Sequence, residues 1–265
     1  MAHDALLHPV DTLRARLDVR SGSGGANPLR AMMHEARQVI HSDGLAGLYR
    51  GYVLCLVGSA PANALYFSTY QACKRYFAAS GVDEARMLSP LYDAASGLCA
   101  EVIAAGLWTP LDVVKQRLQV APADLRAADA IRAACARRGM IGLWRGYFAG
   151  LCVWGPFSAV YFASYEAIRD AMGREAVGSN LMAGMGGGAI AAVTTQPLDC
   201  ARTRLQVGLT KESAGLMQVV RDIFAREGLQ ALMRGTLARA LWLAPGCGIT
   251  ITVFDNVAAL LQTAN

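Results

Sequence analysis

One charged motif recurs three times at fixed spacing, and that recurrence restricts the fold more than any other feature of this 265-residue chain. The stretches HPVDTLRARLDV (8–19), TPLDVVKQRLQV (109–120) and QPLDCARTRLQV (196–207) each read Pro-x-Asp-x-x-[Lys/Arg]-x-Arg-Leu. Their anchors are Pro9, Asp11, Arg14 and Arg16; Pro110, Asp112, Lys115 and Arg117; Pro197, Asp199, Arg202 and Arg204. A second signature follows each: DGLAGLYRGY (43–52), RGMIGLWRGY (138–147) and EGLQALMRGT (227–236). In all three, a glycine (44, 139, 228) stands six residues before the Arg of an Arg-Gly pair, and a proline (61, 156, 245) falls eleven residues after that Arg. Repetition at this period means one supersecondary unit used three times.

Between the two signatures lie polar segments of helical periodicity, such as NPLRAMMHEARQVIHSDG and DLRAADAIRAACARRG. After each Arg-Gly comes a long apolar stretch ending in an aromatic residue, as in YFSTYQACKRYF, YFASYEAIRDAM and ITVFDNVAALLQ. Each unit reads as long helix, short amphipathic helix, long helix. The expected chain is therefore one all-α membrane domain (1–265) of three tandem repeats at 1–80, 88–173 and 178–264, with six long helices. Composition agrees. Hydrophobic residues make up 54% and charged residues 17%, against about 25% charged in a soluble domain. No uninterrupted apolar run reaches the ~20 residues of a simple spanning helix. Apolar stretches punctured by Gly, Pro and single charges suit helices with one face on lipid and one on a wet cavity.

The net charge of +5 is modest and forms no basic tract, which sets nucleic acid aside as a partner. Seven scattered cysteines form no CxxC pair and read as reduced packing residues. The four histidines show no ligand spacing, and no nucleophile–base set or phosphate loop occurs. The sequence thus calls for no enzyme activity, no cofactor and no metal site. Gly97 and Gly184 stand thirteen residues before Pro110 and Pro197, where small residues favour close helix packing. Thirteen before Pro9 falls ahead of Met1. The residues before Pro9 give about 12 Å of helix, short of a ~30 Å hydrocarbon core. The first helix is expected to be truncated in this sequence, through a start further upstream or through degeneration.

Over essentially its whole length the chain resembles the mitochondrial carrier family, on the strength of these repeated signatures. The resemblance implies a pseudo-threefold bundle of six transmembrane helices and three short matrix helices. It also implies a monomer that moves a small-molecule substrate across the mitochondrial inner membrane by alternating access, in contact with membrane lipid such as cardiolipin. Pro9, Pro110 and Pro197 would kink the odd helices and bring their ends together. A matrix gate would then pair Asp11 with Lys115, Asp112 with Arg202, and Asp199 with Arg14. The cytoplasmic gate of the family would use Lys74 with Glu166 and Arg169 with Asp255. The third pair falls on Gln71 and Ala258, both uncharged, so this gate is expected to hold two ion pairs.

The same resemblance places substrate contacts eight and nine residues after each Arg of the Arg-Gly pairs. Those positions are Gly58 and Ser59, Val153 and Trp154, and Trp242 and Leu243, with Arg239 an added candidate. Asp4 and Glu101 are acids in apolar surroundings, and an acid inside a membrane helix is a functional candidate. Two carboxylates, two indoles and a guanidinium suit a zwitterion with extra positive charge and a flat ring, a description that S-adenosylmethionine meets. HDALLHPVDTLRARL, VGSAPANALYFSTY and AEVIAAGLWTPLDVVKQRLQV are similar to stretches of S-adenosylmethionine carriers, although Val153-Trp154 stands where those carriers have Arg-Glu. LVGSAPANALYFSTYQACKR and TTQPLDCARTRLQV are also similar to mitochondrial iron carriers, and WTPLDVV to amino-acid carriers. Plainer readings stand beside these: Trp154 and Trp242 as packing aromatics, Arg239 as a general gate residue, Glu101 in a local pair, and Asp4 as a helix cap. A non-transporting, degenerate carrier-like interaction protein is the competing reading from another class.

Overall fold

The computed structural model describes residues 2–20, 27–79, 89–122, 124–136, 138–173, 178–211 and 214–263; the side chains of 2–4, 78–79, 89–91, 93–94 and 254–263 lie outside that description. Six long helices dominate: α1 (Ala2–Val19), α3 (Tyr52–Ala79), α4 (Ser89–Val120), α6 (Tyr147–Met172), α7 (Ser179–Val207) and α10 (Thr236–Thr263). Short helices α2 (Pro28–Asp43), α5 (Ala127–Cys135) and α8 (Leu216–Glu227) follow α1, α4 and α7. Tight 3-10 turns (Leu45–Tyr49, Gly139–Trp144) and the one-turn α9 (Leu229–Leu232) lead into the even long helices. No strand occurs among the described residues.

The glycine six residues before each Arg is needed for backbone conformation. Gly44, Gly139 and Gly228 all have positive φ (68°, 60° and 79°), a region that costs an L-residue strain and glycine almost none. Each lets the chain leave its short helix and turn back toward the bundle. Every long helix contains a proline, at 9, 61, 110, 156, 197 and 245.

The short helices bury one face each. Val39 of α2 packs on Leu13 and Leu48. Ala130 and Ala134 of α5 pack on Val113, Val114, Leu118 and Leu143. Val219 and Ile223 of α8 pack on Cys200, Ala201 and Leu205. These three small cores lie at one end of the bundle. There α1, α4 and α7 touch one another, while further along α3 packs on α4, and α7 packs on both α6 and α10. Large apolar side chains such as Val53, Phe67, Leu98, Phe148 and Phe162 face outward, as they do on a surface meeting lipid. Residues 95–120 and 229–253 have the length and hydropathy of a simple span. Helix α7 dilutes its apolar character with glycine and with the Asp199–Arg204 charges.

Glycine spacing does not act alike in the two repeats. At Gly184 a β-carbon would lie 2.8 Å from the Gly248 Cα of α10, and at Gly187 it would lie 3.0 Å from the Tyr161 carbonyl of α6. Backbone cannot move aside cheaply, so these glycines set how closely α7 approaches both neighbours. Gly97, expected to do the same for α4, meets nothing described within 4 Å; this corrects the expectation. Helix α1 covers 18 residues against 28 for α3 and 32 for α4.

Gly187→Leu should therefore destabilise the detergent-purified protein by about 1–3 kcal/mol, read as a drop of several degrees in melting temperature. Gly97→Ala should leave the melting temperature unchanged or slightly raised.

Candidate functional site

The site begins with three odd helices whose charged ends converge. Lys115 Nζ of α4 lies 2.7 Å from Asp11 Oδ2 of α1. Arg202 Nη2 of α7 lies 2.5 Å from Asp112 Oδ2 of α4. Arg14 Nη2 of α1 lies 2.8 Å from Asp199 Oδ2 of α7. The structure thus brings together, in cyclic order, all six residues that the resemblance pairs. Arg14 also reaches Asp11 Oδ1 at 3.1 Å on its own helix. Arg239 of α10 joins the set, with Nε 3.5 Å from Asp199 Oδ2 and Nη1 donating to the Ala192 carbonyl at 3.1 Å.

Below this cluster the second arginine of each motif performs a task the sequence reading did not assign. Arg16 Nε donates to the Gln119 carbonyl (2.7 Å), Arg117 Nε to the Gln206 carbonyl (3.2 Å), and Arg204 Nε to the Asp18 carbonyl (2.8 Å). The Arg-Gly arginines serve the same helix ends. Arg50 donates to Ala121 and Leu125, Arg145 to Thr210 and Lys211, and Arg234 to Arg20, all at carbonyl oxygens. The last carbonyls of a helix have no intrahelical donor, and here a neighbouring repeat supplies one. Threefold recurrence of these arginines was the available signal. Two of the motif arginines are also tied to the short helices: Arg16 lies 2.9 Å from Asp43, and Arg204 bonds Glu227. In repeat two the equivalent position is Arg138.

Above the charge cluster lies a cavity of about 380 Å³. Its floor carries Asp11, Asp112, Lys115 and Arg202, and its wall carries Ser59, Glu101, Trp154 and Trp242. The two indoles cover cations of this cluster: Trp242 has Arg14 Cζ at 5.3 Å and Lys115 Nζ at 6.0 Å from its ring centre, and Trp154 has Arg202 Cζ at 6.0 Å. Each such contact contributes on the order of 0.5–2 kcal/mol. Trp154 and Trp242 also pack on the cluster of Phe157, Tyr161 and Leu243, so the packing reading and the cavity reading describe two edges of the same rings.

Other sequence candidates lie elsewhere. Gly58 is buried, and a β-carbon there would collide with Leu111. Val153 is buried in α6, and Arg239 is about 1% exposed among Asp199 and Ala192; none of these three lines the cavity. The Asp4 side chain lies outside the described residues. So does that of Asp255, one of the four cytoplasmic-gate candidates. Of the others, Lys74 stands with its ammonium 5.6 Å from the Tyr70 ring centre, and Arg169 with its guanidinium 5.8 Å from that of Tyr165. Lys74 and Glu166 follow Gly51 and Gly146 by some twenty residues, about 30 Å of helix away from the charge cluster. The cavity also draws on residues that sequence reasoning did not select: His8, Tyr52, Cys55, Trp108, Thr109 and Tyr147. Tyr52 and Tyr147 directly follow Arg-Gly pairs, His8 and Thr109 directly precede motif prolines, and Trp108 stands one residue earlier, so position relative to the motifs was the missed signal. His8 Nε2 donates to the Arg50 carbonyl at 3.1 Å, which fixes the start of α3 against α1. Among the described residues no group of three or more His, Cys, Asp or Glu side chains gathers as a metal site.

The family model described as mitochondrial carrier protein matches residues 1–81, 86–176 and 173–265. The chain is 29% identical over 281 residues to mitochondrial substrate carrier family protein E of Dictyostelium discoideum, covering 98% of this chain and 92% of that protein. It is 30% identical over 270 residues to the mitochondrial S-adenosylmethionine carrier protein of Xenopus tropicalis, covering 98% and 92%. It is 28% identical over 275 residues to mitoferrin of Dictyostelium discoideum, covering 94% and 87%.

Two outcomes are expected from the charge cluster. Asp11→Asn leaves the mostly covered Lys115 ammonium without its carboxylate and should cost about 3–5 kcal/mol; exchanging the pair (Asp11→Lys with Lys115→Asp) should recover more than half of the loss in a thermal melt. At the α8 end, the Arg204 hydrogen bond holds the Glu227 carboxyl below the usual glutamate range. Its contribution is complete at neutral pH and fades as pH falls through that range and below it. The melting temperatures of wild type and Glu227→Gln should differ at neutral pH and converge in acid.

Proposed function

Because the chain belongs to the mitochondrial carrier family, a family of transporters, we propose that it exchanges a small zwitterionic solute with an extra fixed positive charge and a flat ring across the mitochondrial inner membrane. S-adenosylmethionine is the solute whose groups match best. The observation that carries this reading is the cavity lining, which brings Glu101, the Trp154 and Trp242 indoles, Lys115 and Arg202 around one space. Glu101 would receive the sulfonium or ammonium, and the indoles would stack with adenine or meet a cation. The cargo carboxylate would approach Lys115 and Arg202, whose present partners are Asp11 and Asp112.

That placement gives a mechanism for alternating access. The three interhelical pairs close the end that carries the short helices, which is the matrix end in this reading. A cargo carboxylate entering the floor competes with Asp11 and Asp112 for the same two cations. Ligand contacts then stand in for gate contacts, and the cost of opening falls. Only a ligand that interacts differently with the two states shifts their balance, and a carboxylate at this floor does so. The S-adenosylmethionine carriers among the relatives support the choice of cargo. The mitoferrins among them make ferrous iron the comparison ligand.

The test is a thermal-shift screen of the detergent-purified protein with S-adenosylmethionine, its demethylated product, neutral amino acids, nucleotides and ferrous iron. A ligand that binds the folded state raises the melting temperature. S-adenosylmethionine should raise it by several degrees, and the demethylated product, lacking the sulfonium charge, by less. Glu101→Gln should abolish that shift while leaving the unliganded melt within about 2 °C of wild type, the range expected for a partly exposed site. A shift from another ligand class alone would replace the cargo and leave the carrier reading standing.

A further inference from the structure

Nine residues after the three motif prolines the chain reads Asp18, Gln119 and Gln206. The odd position is the first. Gln119 uses its amide as a donor: Nε2 gives hydrogen bonds to Asp11 Oδ2 at 3.1 Å and to Thr12 Oγ1 at 3.2 Å. It thereby steadies the acid of the Asp11–Lys115 pair. Asp18 has no amide N–H to donate, so it cannot brace the Asp199–Arg14 pair in the way Gln119 braces Asp11.

The structure gives Asp18 different work. It is 0% exposed. Its Oδ1 accepts from Gln196 Nε2 at 2.8 Å, while its Oδ2 accepts no hydrogen bond and lies 3.6 Å from Arg14 Nε. The backbone carbonyl of Asp18 is held by Arg204 Nε and by Cys200 Sγ (3.5 Å), both of α7. The carboxylate rests on Gly235, where any β-carbon would collide with it, one turn before Arg239 of α10. The side chain is thus fixed from α7 and α10 while its charge faces Arg14 on its own helix.

Two consequences follow from this placement. The first is charge balance. Asp11, Asp112 and Asp199 face four cations, Arg14, Lys115, Arg202 and Arg239. Asp18 makes the numbers equal, which matters because an uncompensated buried charge is far costlier than a pair. The second concerns motion. Asp199 sits on α7 and must leave Arg14 when the two helices separate. Asp11 and Asp18 lie on α1 on either side of Arg14 and travel with it, and Asp11 is shared with Lys115 while Asp18 is not.

We propose that Asp18 is a positioning residue of the gate, which together with Asp11 of the same helix holds Arg14 in place when Asp199 lets go. The inference rests on the gate reading given under Proposed function. It makes the α1–α7 seam different in kind from the other two, which carry glutamine at this position.

The experiment reads gate opening without any cargo. In a variant keeping Cys55 and carrying alanine at the other six cysteines, the one thiol lines the cavity above the gate. A membrane-impermeant maleimide added to the short-helix side of oriented proteoliposomes reaches it only when the gate opens. Asp199→Asn, which breaks a closed-state pair, should speed labelling. If it does not, the gate reading fails and takes this inference with it. Given that control, Asp18→Asn and Asp18→Gln should slow labelling by about fivefold or more, within the coupling range of contacting groups, and Asp18→Glu should restore it. Labelling that is unchanged or faster would overturn the proposal and leave the gate intact, since a residue that only stabilises the closed fold has that effect. Melting temperatures give the second reading: Asp18→Asn should cost more in the Asp199→Asn background, where Arg14 keeps only Asp18 and the shared Asp11, than in wild type. Additive costs would overturn the proposal even if the single variants were too unstable to reconstitute.

Discussion

Charge buried away from water must be neutralised by charge, and the rest of the bundle is arranged around that requirement. Asp11, Arg14, Asp18, Asp199, Arg202 and Arg239 are all buried, and any of them alone would cost several kcal/mol. No single helix can settle the account, because in each motif the acid and the cation that it needs most lie on different helices. Pairing Asp11 with Lys115, Asp112 with Arg202 and Asp199 with Arg14 forces α1, α4 and α7 to meet. That meeting point in turn fixes where the short helices dock. Val39, Ala134 and Val219 seal the odd helices just below the charges.

The threefold rule is obeyed most closely where the chemistry is backbone chemistry. Arg16, Arg117 and Arg204 each donate to the carbonyl at one register position of the next repeat. The carbonyls at the end of a helix are the same in every repeat, so one arginine solves the problem three times. Side-chain chemistry departs from the rule. Asp43 and Glu227 receive an arginine, while Arg138 occupies the equivalent place in repeat two. Asp18 replaces the glutamine of its two counterparts. Close helix packing is likewise local. Gly184 and Gly187 press α7 on both of its neighbours, and Gly97 meets nothing within 4 Å among the described residues.

The motifs made much of this legible in the sequence. Pairing order could be read from them because it depends on register along three similar helices, and register survives in sequence. The left-handed glycines at 44, 139 and 228 were visible as a repeated residue, though not as a conformation. What stayed hidden depends on which way a helix faces at a given height. Gly58, Val153 and Arg239 carry the right spacing from the Arg-Gly pairs, yet helix rotation turns them into packing rather than toward the cavity. Periodicity of 3.6 residues leaves neighbouring positions a large fraction of a turn apart. A one-residue shift therefore separates a lining residue such as Trp154 from a buried one such as Val153. The role of Asp18 was present in the alignment of the three stretches as a single odd letter. Its meaning needed the position of Arg14, which only the fold supplies.

The cavity floor and the interhelical pairs share one set of atoms, which in the proposed reading links recognition to motion. Lys115 and Arg202 face the cavity on one side and hold Asp11 and Asp112 on the other. The indoles of Trp242 and Trp154 lie over the same cations from above. An anionic group arriving from the cavity must displace either an aspartate or an indole to reach them. Displacing an indole costs little, and a carboxylate replaces it with a stronger partner. Displacing an aspartate loosens an interhelical tie at the moment a substitute is in place. A gate built from fully exposed pairs would be too weak to hold, and one built from dry pairs without such an entrant would be too costly to break. In the proposed reading the half-wet floor lies between these limits, and the same ligand contact that selects the cargo also releases the helices.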